Sequence, residues 1–145
     1  MSAETKSGYA KPLPTKTREG APFWEATRRR ELQVQYCPDC EKHQFPPRRL
    51  CVHCGGRKVT WRKVSGAGKI YSFTVIHRAP EPSFTPDVPY VLAVVDLAEG
   101  GRMMTNIIDC PVNDVRVDMP VSAAFEQVSD DVTLVKFRPS AAGKR

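Results

Sequence analysis

The sequence predicts a mainly β chain, in which a short N-terminal helix and a four-cysteine metal ribbon precede a five-stranded barrel of the OB type. Two observations carry that expectation. Residues 36–56 read YCPDCEKHQFPPRRLCVHCGG, with Cys37 and Cys40 as one CxxC pair, Cys51 and Cys54 as a second, and ten residues between the pairs. From Lys69 onward, five alternating or apolar runs are joined by short turn signals, and no helical pattern longer than one turn interrupts them.

The cysteine spacing is that of a structural zinc site. Zinc(II) takes four ligands in a tetrahedron, and a two-residue gap lets one tight turn present two sulfurs to one ion. Pro46, Pro47, Gly55 and Gly56 supply the turn chemistry for a short hairpin to return with the second pair. Disulfides in the same positions would belong to a secreted chain. His43 and His53 could each replace a ligand, yet with four cysteines in register they read as bystanders. Four thiolates also suit iron, which spacing does not separate from zinc.

Residues 1–20 are rich in Lys, Thr, Ser, Gly and Pro and predict a flexible arm. The pattern changes at Ala21. Pro22 and Glu25 suit a first helical turn, and a helix from Pro22 to Arg30 would put Phe23, Trp24 and Thr27 on one side. Phe23 and Trp24 then form a lid over the metal module or an anchor for another subunit. Arg28, Arg29 and Arg30 are a solvated helix end or a phosphate clamp. Leu32, Val34 and Tyr36 alternate with Gln33 and Gln35, a strand leading into Cys37, and residues 57–64 form another that leaves the ribbon.

The barrel follows over residues 65–139, leaving 21–64 to helix and ribbon and 140–145 to a flexible tail. Lys69–His77 is a strand by alternation, with Tyr71, Phe73, Val75 and His77 on one face and Ile70, Ser72, Thr74 and Ile76 on the other. Residues 78–89 hold four prolines and read as a loop. Its Phe84 either serves a binding loop or folds back on the core. Residues 90–97, 102–109, 119–128 and 132–137 complete the set, with one helical turn at 111–115. Five antiparallel strands fit a small barrel better than a sandwich, which needs about seven.

Composition limits the function. The net charge of +6 is uneven: residues 1–63 hold 14 Lys/Arg against 6 Asp/Glu, hence +8, and residues 64–145 hold 8 against 10, hence −2. A basic metal half points to an acidic partner surface, a phosphate-bearing ligand or nucleic acid. The last is disfavoured, because single-strand OB binders need a positive groove with stacking aromatics and the barrel half is the acidic one. No charged-then-apolar leader stands at residues 1–20, and the apolar run 88–95 is too short to span a bilayer, so a cytoplasmic soluble protein without membrane attachment is expected. Cys110 lies at a strand end without a base nearby in sequence and reads as a half-buried small residue.

Several short words follow one another along the chain. They are Phe23-Trp24-Glu25, the CPDC and CVHC pairs with FPPR between them, YSFTV at 71–75, PYVLAVVDL at 89–97, Thr105-Asn106-Ile107, Asn113-Asp114-Val115-Arg116, Met119-Pro120-Val121 and TLVKFRP at 133–139. Together they resemble the DUF35 proteins, rubredoxin-like zinc-ribbon plus OB-fold proteins associated with acyl-CoA enzymes. The likeness covers about residues 21–139.

The resemblance implies one structural Zn2+ on Cys37, Cys40, Cys51 and Cys54, and CoA or acyl-CoA as a ligand of the assembled complex. It implies a non-catalytic accessory subunit required by a thiolase-fold catalytic subunit, in a heterotetramer that cleaves an aromatic or steroid-derived β-oxoacyl-CoA. A benzoylsuccinyl-CoA thiolase of aromatic hydrocarbon catabolism is one such setting. The residues agree on one point: no cysteine paired with a general base stands out, as thiolase chemistry requires. Phe23, Trp24, Arg28, Arg29, Arg30, Arg48, Arg49, His77, Arg78 and Phe84 are candidates for CoA or partner contact by charge or loop position. A nucleic-acid-binding ribbon and barrel, or an iron electron carrier, are the competing readings.

Overall fold

A computed structural model describes residues 9–140 of the chain. Residues 1–8 of the expected arm and 141–145 of the expected tail lie outside them. Residues 9–20 run without regular structure until α1 (Ala21–Arg28), which buries Phe23, Ala26 and Thr27. The helix ends two residues earlier than the sequence suggests. Arg30 takes a left-handed backbone (φ 59°), and the N–H groups of Arg30 and Glu31 turn back to the carbonyls of Thr27 and Ala26, both at 3.0 Å. That paired closure is a Schellman cap, built here on arginine rather than the usual glycine.

β1 (Leu32–Cys37) is the middle strand of a small antiparallel sheet, flanked by β2 (Lys42–Gln44) and β3 (Thr60–Val64). β3 opposes Val64 to Leu32 and begins only at Thr60, later than the run from Arg57 suggests. One turn after β3, β4 (Ala67–Ile76) opens a closed barrel with β5 (Tyr90–Leu97), β6 (Arg102–Ile107), β7 (Pro120–Gln127) and β8 (Thr133–Pro139), in the order β4-β5-β6-β8-β7. Short 3₁₀ turns stand at Pro82–Asp87 and Val112–Asp114.

Two details depart from the sequence reading. The barrel is not antiparallel throughout, since β6 meets β8 in parallel with Ile107 opposite Phe137. An odd ring of strands cannot alternate direction all the way round, so one parallel pair is unavoidable. The faces of β4 also change: a bulge between Ile70 and Ser72 makes Tyr71 an extra, exposed residue. Ile70 therefore opposes Val95 on the face where Phe73 and Val75 oppose Ala93 and Val91.

Because β6 and β8 pair at one position, a seam remains between them. Thr105 Oγ1 donates across it to the Val135 carbonyl at 2.9 Å. Phe23, Trp24 and Phe45 lie over the seam and line a 280 Å³ cavity with Met103, Met104 and Val135. The consequence is one core: Phe23, Leu32, Val34 and Val64 belong to the same buried apolar cluster as Ile70, Val91, Val95, Ile107 and Phe137. Among the described residues, no helix is long and apolar enough to cross a membrane.

Candidate functional site: a four-cysteine centre beside the barrel

β1 delivers Cys37 and the turn after it delivers Cys40, while the loop after β2 returns with Cys51 and Cys54. The four sulfurs lie within 4.8 Å of one another, with Cys37 and Cys54 at 3.7 Å and Cys40 and Cys51 at 3.6 Å. All four are free cysteines. A tetrahedron with zinc–sulfur bonds of about 2.3 Å has sulfur–sulfur edges of about 3.8 Å, so these residues fit a Zn2+ ion. The two knuckles match: each CxxC is followed by a left-handed residue, Glu41 (φ 58°) and Gly55 (φ 75°). A side chain on Gly56 would stand 2.9 Å from Asp39 Oδ2 and 3.2 and 3.4 Å from the sulfurs of Cys54 and Cys37, so the backbone there closes the cage.

Burial raises the Cys51 thiol, but the backbone N–H groups of Cys54 and His53 outweigh that and hold it down to about 6. Cys40 is pushed up to about 12, first by burial and then by its hydrogen bonds to Cys51, Cys54 and Cys37. Four sulfurs this close become four thiolates only with a cation among them. His43 and His53 stand outside the set. The ring of His43 lies 4.9 Å from that of Tyr36, and His53 Nε2 is 3.2 Å from the His43 carbonyl.

Sequence reasoning missed what fixes the second knuckle. Gln35 and Gln44, both buried, hydrogen-bond to backbone groups of Arg48, Leu50 and Val52 and thereby set the loop that carries Cys51. Gln35 falls on the polar side of the alternation. The signal available was two glutamines at facing strand positions, Gln35 opposite Gln44.

The ten residues singled out for CoA or partner contact do not converge. Phe23 enters the core and Trp24 sits edge-on to it, 4.9 Å between ring centroids. Arg28 and Arg29 are exposed and pair locally with Glu25 and Glu31, while Arg30 Nη1 donates to the Phe125 carbonyl of β7 at 3.1 Å. Arg48, Arg49, His77 and Arg78 are exposed. Phe84 folds back to face Tyr90 at 6.0 Å and lines a 450 Å³ cleft with Tyr9, Lys11 and Asp87. Cys110 borders a separate 730 Å³ depression, where burial and then Asp114 raise its thiol. That is the reverse of an activated nucleophile.

A four-cysteine ribbon joined to an OB barrel defines a two-part zinc-ribbon protein. The model of the ChsH2 rubredoxin-like zinc ribbon domain matches residues 24–60, and that of the ChsH2 C-terminal OB-fold domain matches residues 61–126. A DUF35 domain-containing scaffold protein of Methanocaldococcus jannaschii is 39% identical over 97 residues, which are 66% of this chain and 67% of that protein. The chain belongs to the DUF35 family.

A probable enoyl-CoA hydratase alpha subunit of Thermomonospora curvata is 34% identical over 137 residues, covering 94% of this chain and 42% of that protein. The 3-oxo-4,17-pregnadiene-20-carboxyl-CoA hydratase alpha subunit of Mycobacterium tuberculosis is 31% identical over 81% of this chain and 37% of its own. The chain thus spans less than half the length of either hydratase subunit. Among solved structures, the Ltp2-ChsH2(DUF35) aldolase contains a chain 35% identical, with a TM-score of 0.78, covering 88% of this chain and 98% of that one.

Proposed function

We propose that this chain is a non-catalytic, zinc-binding accessory subunit of an acyl-CoA-processing complex. Its catalytic partner is a thiolase-fold subunit that breaks a carbon–carbon bond in a β-oxoacyl-CoA of an aromatic or steroid-derived acid, in a cytoplasmic heterotetramer. The observation that carries this reading is the likeness to the DUF35 chain of the Ltp2-ChsH2(DUF35) aldolase, nearly all of which the present chain spans. An aldolase, like a thiolase, breaks a carbon–carbon bond, whereas the hydratases with related subunits act by adding or removing water. The absence of an activated thiol at Cys110 supports a catalytic centre in the partner.

Cys37, Cys40, Cys51 and Cys54 would hold the zinc. With every ligand position taken by sulfur, the ion supplies a cross-link and no open coordination site. That cross-link and the glutamine pair make the basic ribbon a rigid docking platform. Arg48 and Arg49 stand exposed on it, available to an acidic partner surface or CoA phosphates, and Arg28 and Arg29, exposed beside it at the helix end, would exchange their local pairs with Glu25 and Glu31 for such contacts. Affinity purification from the native host tests this reading. Recovery of a catalytic acyl-CoA enzyme with the tagged chain is expected. A chain that purifies alone and retains single-stranded DNA at physiological salt contradicts it.

A further inference from the structure

The cleft of the barrel is already bordered by the chain's own N-terminal segment. Barrels of this type take extended ligands across their second and third strands, between the loop joining strands one and two and that joining strands four and five. Here those strands are β5 and β6, and the loops are residues 77–89 and 128–132. The segment from Tyr9 to Lys16 reaches both loops. Lys11 Nζ pairs with Asp87 Oδ2 at 2.5 Å and stands 5.7 Å from the centroid of the Phe84 ring. Lys16 Nζ donates to the Asp131 carbonyl at 2.6 Å.

The attachment is made by side chains. Among the described residues, no backbone hydrogen bond ties 9–16 to the barrel, and the Lys11 and Asp87 side chains are 25% and 45% exposed. Tyr9, Lys11 and Pro12 form one wall of the 450 Å³ cleft, and Phe84, Tyr90, Glu126 and Lys136 belong to the rest of its lining. Glu126 and Lys136 neutralise each other at 2.5 Å, so removal of the segment leaves Asp87 as the unpaired charge beside an aromatic pair. An unpaired carboxylate repels phosphate and selects a cation.

We propose that this cleft is a peptide-binding site for extended segments carrying an aromatic residue two positions before a lysine, a sequence that the chain's own Tyr9-Ala10-Lys11 supplies along one wall of it. An incoming peptide therefore competes with a resident held at high effective concentration.

The test uses the full chain and a fluorescently labelled peptide of residues 9–18, with binding read by anisotropy. Lys11→Glu sets two carboxylates against each other and loosens the segment, so this variant should bind the peptide about fivefold more tightly than the wild type does. Adding Asp87→Lys to that variant restores an internal pair with reversed sign and should abolish the gain. An oligothymidylate probe should bind no form of the chain. Equal peptide affinity for wild type and Lys11→Glu, a gain that survives Asp87→Lys, or tighter binding of the oligothymidylate than of the peptide would each overturn the assignment.

Discussion

Gln44 Nε2 donates to Gln35 Oε1 at 2.8 Å, across the pair of strands that leads into and out of the first cysteine knuckle. The same Gln35 oxygen accepts from the Arg48 N–H at 2.8 Å, and Gln44 Oε1 accepts from the Val52 N–H at 2.9 Å. Two side chains thereby take the place of a third ladder for the loop that brings Cys51 to the metal.

Gln44→Leu leaves the Val52 N–H and the Leu50 carbonyl without their side-chain partner in a part-buried setting, and removes one of the two bonds to Gln35 Oε1. Each buried polar group left without a partner costs about 1–3 kcal/mol. Chemical denaturation should show a loss of that order, and zinc should pass to a chelator faster than from the wild type. Unchanged stability with unchanged release would mean that the metal alone sets the loop.

Purified chain should carry one equivalent of zinc and no visible colour, because four thiolates at this spacing fit a tetrahedral zinc site. Metal analysis and an absorption spectrum check both. A red protein containing iron would contradict the assignment.

Cys37→Ala removes a ligand. The cysteine spacing, taken alone, suggests that the ribbon would unfold while the barrel persisted. The continuous cluster through Phe23, Leu32, Val34 and Val64 predicts instead that both parts lose stability together, in a single transition at lower temperature. Phe23→Ala acts on the same coupling, since it empties the seam beside Trp24 and Phe45, and it should cost about 3–5 kcal/mol. Two resolved transitions in either variant would show that ribbon and barrel fold independently.

The Lys11 ammonium is held above its ordinary value, chiefly by its hydrogen bond to Asp87 and against burial, with Tyr9 and Glu126 as further charged or titratable neighbours. A pKa raised in the attached state means that the contact contributes fully below the ordinary lysine range, about 10.4, and fades as pH climbs through the raised value. As a partly exposed pair it is worth at most about 1 kcal/mol. Protection of the segment from proteolysis at Lys16 and Arg18 should hold from neutral to mildly alkaline pH and fall above that range. Lys11→Met should be about fivefold less protected at neutral pH, with no further fall in the alkaline range, and a wild type whose protection ignores alkaline pH would contradict the role of the pair.

What the sequence made legible was local. Ligand spacing announces the cage, and period-two alternation announces the strands, because both are set by neighbours in the chain. Closure of the ring was not legible in the same way. The bulge at Tyr71, the parallel meeting of Ile107 with Phe137, the seating of Phe23 in the seam and the capture of Lys11 by Asp87 join residues far apart in the chain. A charge count found the basic half, but it could not tell that Arg28 and Arg29 pair locally while Arg30 reaches Phe125.

The accessory-subunit reading is tested most directly by reconstitution. The catalytic subunit recovered with this chain would be assayed for carbon–carbon cleavage of a CoA thioester alone, with the chain, and with the chain stripped of zinc, beside the chain alone. Turnover only in the mixture containing zinc-loaded chain is the predicted result. Turnover by this chain alone, or full activity of the catalytic subunit without it, would contradict the account.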